Sequence, residues 1–159
     1  MATKKLNGTV IVTYRCNARC TMCNRYKAPS KPEEEIRLET IRKLPPMYFT
    51  NITGGEPFIR TDLKDIVREL RKKSDRIVIS TNGFFTDRIL DLCREFPDIG
   101  IRISIEGLEQ TNNEIHGLAD GYNRDFLLSE GLESTEAFVA LTNIDEENVL
   151  LTLFATSTE

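Results

Sequence analysis

Three cysteines fall within eight residues of one another, Cys16, Cys20 and Cys23, in the spacing C-x3-C-x2-C. Thiols this close are poorly spaced for a disulfide framework. Clustered thiolates of this kind bind metal or do redox work. A structural zinc site of the Cys3His type, with His116 as fourth ligand, is one reading. Zinc sites usually set their thiols in pairs, however, and not in a triplet. An iron–sulfur cluster is the better reading. A 4Fe–4S cluster takes four protein thiolates. Three from one loop leave one iron open to a small ligand, which is a catalytic arrangement.

The other candidates are less distinctive one by one. Gly54-Gly55-Glu56-Pro57 removes two side chains, allows positive φ and close approach to a ligand, fixes a turn and adds a carboxylate. Asn82-Gly83 and Glu106-Gly107 are common turns. Ser80, Thr81 and Ser104 offer hydroxyls to a bound ligand. Cys93 shares an apolar helical face with Ile89, Leu90, Leu92 and Phe96 and reads as a buried core cysteine. His116, in the polar stretch Asn112-Asn113-Glu114-Ile115-His116-Gly117, reads as a solvated loop histidine without a role.

The elements that must position these residues alternate. Short β-branched runs at Gly8–Tyr14, Met47–Thr53, Arg76–Thr81 and Ile99–Ile105 read as buried strands. Between them, helical patterns cover Glu33–Leu44, the stretch from Thr61 as N-cap through Lys73, and Thr86–Phe96. Acids lead the first of these and Arg42 and Lys43 close it, as a helix dipole favours, before Pro45-Pro46 stops it. The order βαβαβαβ predicts an α/β fold with a parallel sheet and right-handed crossovers. In such folds chemistry gathers beyond the C-terminal ends of the strands. Each special loop follows a strand, so four of them converge on one edge.

Composition bounds the rest. The chain has 159 residues, 40% apolar and 29% charged, with a net charge of −4. That excludes wholesale disorder and a nucleic-acid binder working through a general basic surface. No apolar run reaches transmembrane length, and Met1–Gly8 shows no secretory signal, so no membrane partner and a cytoplasmic location are expected. The charge is split. All 21 Lys and Arg lie at or before Arg124, against 17 acids, a net of +4; the last 35 residues hold 8 acids and no base. Residues 1–124 and 125–159 are therefore read as separate regions. In the acidic tail, Ser134–Leu141 is a candidate short helix and Val149–Ala155 a candidate strand.

The cysteine loop followed by Gly54-Gly55-Glu56-Pro57 resembles the radical S-adenosylmethionine (radical SAM) superfamily. The match runs from Val12-Thr13-Tyr14-Arg15 through Ser80-Thr81-Asn82-Gly83 and Ser104-Ile105-Glu106-Gly107 to His116-Gly117, about residues 8–124. It is most similar to the molybdenum-cofactor-biosynthesis-like and peptide-modifying branch. The resemblance implies a partial (β/α) TIM-type barrel with parallel strands and roughly six βα units; only four strands precede the composition break, so the barrel reads as truncated after about four βα units. It implies that Cys16, Cys20 and Cys23 hold a 4Fe–4S cluster and that SAM binds its open iron. Gly54, Gly55, Glu56 and Pro57 would line the methionyl amino group, with contacts from Thr81, Asn82 and Ser104. A reduced cluster would cleave SAM to a 5′-deoxyadenosyl radical that abstracts hydrogen from a substrate. The substrate, small molecule or peptide, is not specified; an electron donor such as flavodoxin or ferredoxin is implied. Met22 stands where the family usually has an aromatic residue, and Tyr26 is placed to cover part of that gap. The acidic tail matches no later βα unit of the family. An inactive fragment of the barrel and a zinc-stabilised binding module are the alternatives.

Overall fold

The computed structural model describes residues 5–118. They form one four-stranded parallel sheet in the order β1-β2-β3-β4. The strands are β1 (Leu6–Thr13), β2 (Met47–Gly54), β3 (Ser74–Thr81) and β4 (Gly100–Ile103). Helices α1 (Leu38–Arg42), α2 (Leu63–Leu70) and α3 (Thr86–Glu95) make the crossovers, and α4 (Glu109–His116) follows β4. The alternation and the parallel pairing are those the strand–helix pattern predicts.

The core forms on the apolar side chains of the first three strands. Val10 and Val12 of β1, Ile52 of β2, and Ile77 and Ile79 of β3 pack with Ile41 of α1, Leu63, Ile66, Val67 and Leu70 of α2, and Ile89 and Leu92 of α3. The i, i+3, i+4, i+7 spacing in α2 puts all four of its apolar residues on the sheet. Burying each is worth about 1.5–3 kcal/mol relative to exposure. Cys93 is half-buried against this core rather than fully enclosed.

Four elements differ from the sequence reading. The helix expected over Glu33–Leu44 is a 3-10 turn at Pro32–Glu34, then extended backbone at Glu35 and Arg37, then α1. The Glu35 carboxylate is drawn inward to Arg15 and Ser30, which takes the chain out of helical register. Helix α2 begins after Asp62, not Thr61, and Asp62 gives its carboxylate to Arg60 rather than to the helix end. The polar stretch Asn112–Gly117, expected as a loop, is the second half of α4, closed by Gly117 in the left-handed conformation at φ +60°. Strand β4 stops at Ile103, two residues short of expectation.

The described chain divides into two compact units. One holds Asn17 and the residues before it together with Asn24–Ile103; the other holds Ala18–Cys23 and the residues from Ser104 onward. The sheet and helices α1–α3 belong to the first and α4 to the second. No helix among the described residues is long and apolar enough to cross a membrane. The tail elements expected at Ser134–Leu141 and Val149–Ala155, and the charge boundary at Arg124, lie outside the described residues.

Candidate functional site

In the first unit the register that pairs Thr13 with Gly54 brings two distant motifs side by side. The ladder continues past the strands: Gly55 N–H donates to the Thr13 carbonyl and Glu56 N–H to the Arg15 carbonyl, both at 2.8 Å. Arg15 is the residue before Cys16. The glycines are needed for this approach. A Cβ on Gly54 would lie 2.2 Å from the Thr13 carbonyl oxygen, and one on Gly55 would lie 2.2 Å from that of Arg15. Neither adopts positive φ; among the described glycines only Gly83, Gly107 and Gly117 do. The expectation of a positive-φ turn at Gly54-Gly55 is corrected: the pair lets backbone meet backbone.

Glu56 is fully buried. Its Oε1 accepts from the Phe58 N–H at 3.0 Å and the Thr81 hydroxyl at 2.8 Å, and its Oε2 accepts from the Asn82 N–H at 2.8 Å. Burial pushes its carboxyl above the ordinary glutamate value, and these three bonds oppose the shift. Thr81, also buried, accepts in turn from the Gly83 N–H. Both side chains thus fasten the β2 turn to the end of β3. Pro57, buried too, opens the 3-10 turn Pro57–Ile59. Asn82 donates through Nδ2 to the Asn17 Oδ1 at 2.9 Å, and its own Oδ1 accepts from the Phe84 N–H. The Asn17 Nδ2 is buried without a hydrogen-bond partner. An orphaned donor next to Cys16 is costly unless a ligand oxygen meets it.

A second cluster in the same unit surrounds Glu35, whose side chain is 3% exposed. Arg15 donates to it through Nε at 2.8 Å and Nη2 at 3.0 Å, and the Ser30 hydroxyl donates at 2.9 Å. The Thr13 hydroxyl is a further donor. The Arg60 guanidinium lies 3.7 Å away, and its Nη1 also donates to the carbonyls of Val12 and Ile36. Burial raises the Glu35 carboxyl, but the bonds from Arg15, Thr13 and Ser30 outweigh it and hold the group below its ordinary value. The sequence reading missed Glu35, Arg15, Ser30, Arg60 and Asn17. The adjacency of Arg15 and Asn17 to Cys16 was the one signal available.

In the second unit, the segment Ala18–Cys23 is tied to the end of α4. Arg19 N–H donates to the His116 carbonyl and Thr21 N–H to the Ile115 carbonyl, both at 2.9 Å. These are helix-terminal carbonyls that lack intrahelical partners. Cys23 N–H turns back to the Cys20 carbonyl at 3.1 Å. A Cβ on Gly117 would crowd the Arg19 carbonyl at 3.2 Å. His116 is not a solvated loop residue. It is 2% exposed, its Nδ1 is buried without a partner, and burial lowers its pKa. Asn112 accepts from the Glu106 N–H at 2.9 Å. Ser104 is exposed, just beyond β4.

The first unit therefore gathers Gly54, Gly55, Glu56, Pro57, Thr81 and Asn82 beside the backbone leading into Cys16; Cys20, Cys23 and Ser104 belong to the second. All three cysteines of the loop are half-buried and in no disulfide. Among the described residues no three His, Cys, Asp or Glu side chains are gathered as a site for a metal ion. By donor chemistry the residues fit an iron–sulfur group: soft thiol ligands on one short loop, with an unsatisfied amide donor beside the first.

Residues 10–128 match the Radical SAM superfamily. The chain is 29% identical over 124 residues to the Fe-coproporphyrin III synthase of Methanosarcina barkeri, covering 70% of this chain and 30% of that protein. It is 33% identical over 108 residues to the GTP 3',8-cyclase of Chlorobaculum tepidum, covering 64% and 33%. The crystal structure of Streptococcus suis SuiB bound to S-adenosylmethionine shares the fold, with a TM-score of 0.73 at 15% identity over 97% of this chain and 38% of that one. The chain thus spans about a third of the length of these relatives. With most of its length matched by that one family, the chain belongs to the radical SAM superfamily.

Proposed function

We propose that Cys16, Cys20 and Cys23 hold a 4Fe–4S cluster and that SAM binds against the ends of β2 and β3. When bound, the pair supplies reductive cleavage of SAM to a 5′-deoxyadenosyl radical for hydrogen abstraction from a substrate, small molecule or peptide. The observation that carries the reading is the backbone ladder that joins Gly55 and Glu56 to Thr13 and Arg15. It sets the glycine turn against the chain entering Cys16 in a member of this family.

The chain's own residues then divide the work. Gly54 and Gly55 let the β2 turn close on the backbone of Thr13 and Arg15, which makes the floor for the methionyl end. Glu56 and Thr81 hold that floor to β3 through their shared hydrogen bond. Asn17 directs its unsatisfied Nδ2 at a ligand oxygen, held in place by Asn82. Ser104, in the second unit, keeps an exposed hydroxyl that a ligand can use. A one-electron donor of the flavodoxin or ferredoxin type would reduce the cluster.

Anaerobic reconstitution with iron and sulfide tests this. The chain should turn brown, bind about four irons and form 5′-deoxyadenosine from SAM under reduction. Replacement of any of the three cysteines by alanine should abolish both. A colourless protein without iron overturns the cluster. Iron uptake without SAM cleavage overturns the catalytic half and selects an inactive fragment. One zinc and no iron selects a zinc-stabilised module.

A further inference from the structure

The chain leaves the sheet after Thr13, runs through the cysteines, re-enters the first unit at Asn24 and passes Ser30 on its way to Glu35. Both crossings meet at one carboxylate. On the outgoing side, Glu35 accepts from the Thr13 hydroxyl and twice from the Arg15 guanidinium. On the returning side it accepts from the Ser30 hydroxyl at 2.9 Å. The two sides are also bonded to each other: Tyr14 N–H donates to the Ser30 Oγ at 2.9 Å, and Arg25 stacks 4.5 Å over the Tyr14 ring. Arg60, its side chain 8% exposed, backs Glu35 and bridges the carbonyls of Val12 and Ile36. This is a dense set of bonds, most of them charge-assisted, for a stretch that adds no residue to the cluster packed between the sheet and helices α1–α3.

Resting on the proposed role of the three cysteines, we infer that Glu35 is the positioning residue of the cysteine loop: it pins the loop at Arg15 and at Ser30 and balances the guanidinium charge beside Cys16. Two consequences follow. Fixing both ends of a loop before its ligand arrives removes part of the ordering cost that binding would otherwise carry. Net charge near an iron–sulfur cluster is one determinant of its reduction potential. A neutralised Arg15 keeps that potential lower than a bare cation would.

The test uses the 159-residue chain, metal-free and reconstituted, with Ser30→Ala, Glu35→Gln and the double variant Glu35→Gln/Arg15→Met, each checked for folding by circular dichroism. In the metal-free chain, trypsin cleavage at Arg19, Arg25 and Lys27 should speed up in Ser30→Ala and Glu35→Gln. Loss of hydrogen bonds to a charged group makes local opening easier by on the order of tenfold. In the reconstituted chain, Glu35→Gln should take up less iron and shift the cluster to more positive potential. Removing the uncompensated charge with Arg15→Met should reverse that shift, which a merely structural role would not do. Unchanged cleavage in both single variants overturns the inference, as does a Glu35→Gln potential equal to wild type. If Glu35→Gln does not fold, Ser30→Ala alone decides through cleavage and iron uptake. If the wild-type chain itself takes up no iron, the role given to the cysteines fails, and the cleavage arm still judges the pinning of the loop.

Discussion

Two buried glutamates secure neighbouring strand ends in opposite ways. Glu35 secures the end of β1 and sits in a cage of cations: Arg15 bidentate, Arg60 behind, hydroxyls from Thr13 and Ser30. Glu56 secures the turn after β2 and meets only neutral donors, two backbone N–H groups and the Thr81 hydroxyl. Both carboxylates are well hydrogen-bonded, yet one is held below its ordinary pKa and the other is pushed above it. At Glu56 three neutral donors do not offset desolvation, whereas at Glu35 the hydrogen bonds from Arg15, Thr13 and Ser30, with the Arg15 charge added, do. The β1 anchor is therefore ionic and the β2–β3 anchor is in essence a geometric brace.

Isosteric substitution separates the two. Glu35→Gln keeps the shape and removes the charge, leaving Arg15 with an amide where its counter-ion was. Breaking one side of a buried pair costs about 3–5 kcal/mol. Because the Arg15 side chain is 33% exposed, water recovers part of this, and we expect the low end, about 3 kcal/mol. Urea unfolding should show a lower midpoint at unchanged slope. Gly55→Ala strikes the contact the two anchors share. Its Cβ would stand 2.2 Å from the Arg15 carbonyl oxygen, and neither is at the end of a flexible side chain. The strand ends must part, at about 2 kcal/mol. Hydrogen exchange at the Glu56 N–H should accelerate. Retained protection there would mean that the ladder to Arg15 does not need a glycine.

How much of this could be read in the sequence depends on how far apart the partners lie. The four strands were legible because β-branched runs carry their own signal over four to eight residues. The convergence of Cys16 and Gly54-Gly55 followed from strand order and parallel pairing. The anchors were not legible, since Glu35 lies 20 residues from Arg15 and Glu56 lies 26 from Asn82. Glu35 even misled: read as a helix-leading acid, it is the residue that breaks the helix expected over Glu33–Leu44. His116 misled for a related reason. Its polar neighbours suggested a loop, whereas α4 turns its histidine inward and offers its last carbonyls to the cysteine segment.

Glu56→Gln should be milder than Glu35→Gln. The amide oxygen can keep the Phe58 N–H and the Thr81 hydroxyl, while the amide nitrogen meets the Asn82 N–H donor to donor. One lost bond, against relief from burying a charge, predicts a loss of about 1 kcal/mol. An effect as large as that of Glu35→Gln would show that the Glu56 charge itself matters and would break the contrast.

The finest test is the sign of the pH dependence. For Glu35 the folded value lies below the ordinary 4.5, so its contribution is fully present above that value and is lost as pH falls through the folded one. For Glu56 the folded value lies above 4.5, so the folded chain binds the proton more tightly than the unfolded chain does. Stability from this group then declines as pH rises from 4.5 through the folded value. Metal-free wild type, Glu35→Gln and Glu56→Gln should be unfolded in urea at steps from about pH 4 to about pH 7. The gap between wild type and Glu35→Gln should widen with rising pH. The gap between wild type and Glu56→Gln should narrow over the same range. Gaps that move in the same direction would mean that Glu56 has a counter-charge after all, and the two strand ends would be secured by the same device.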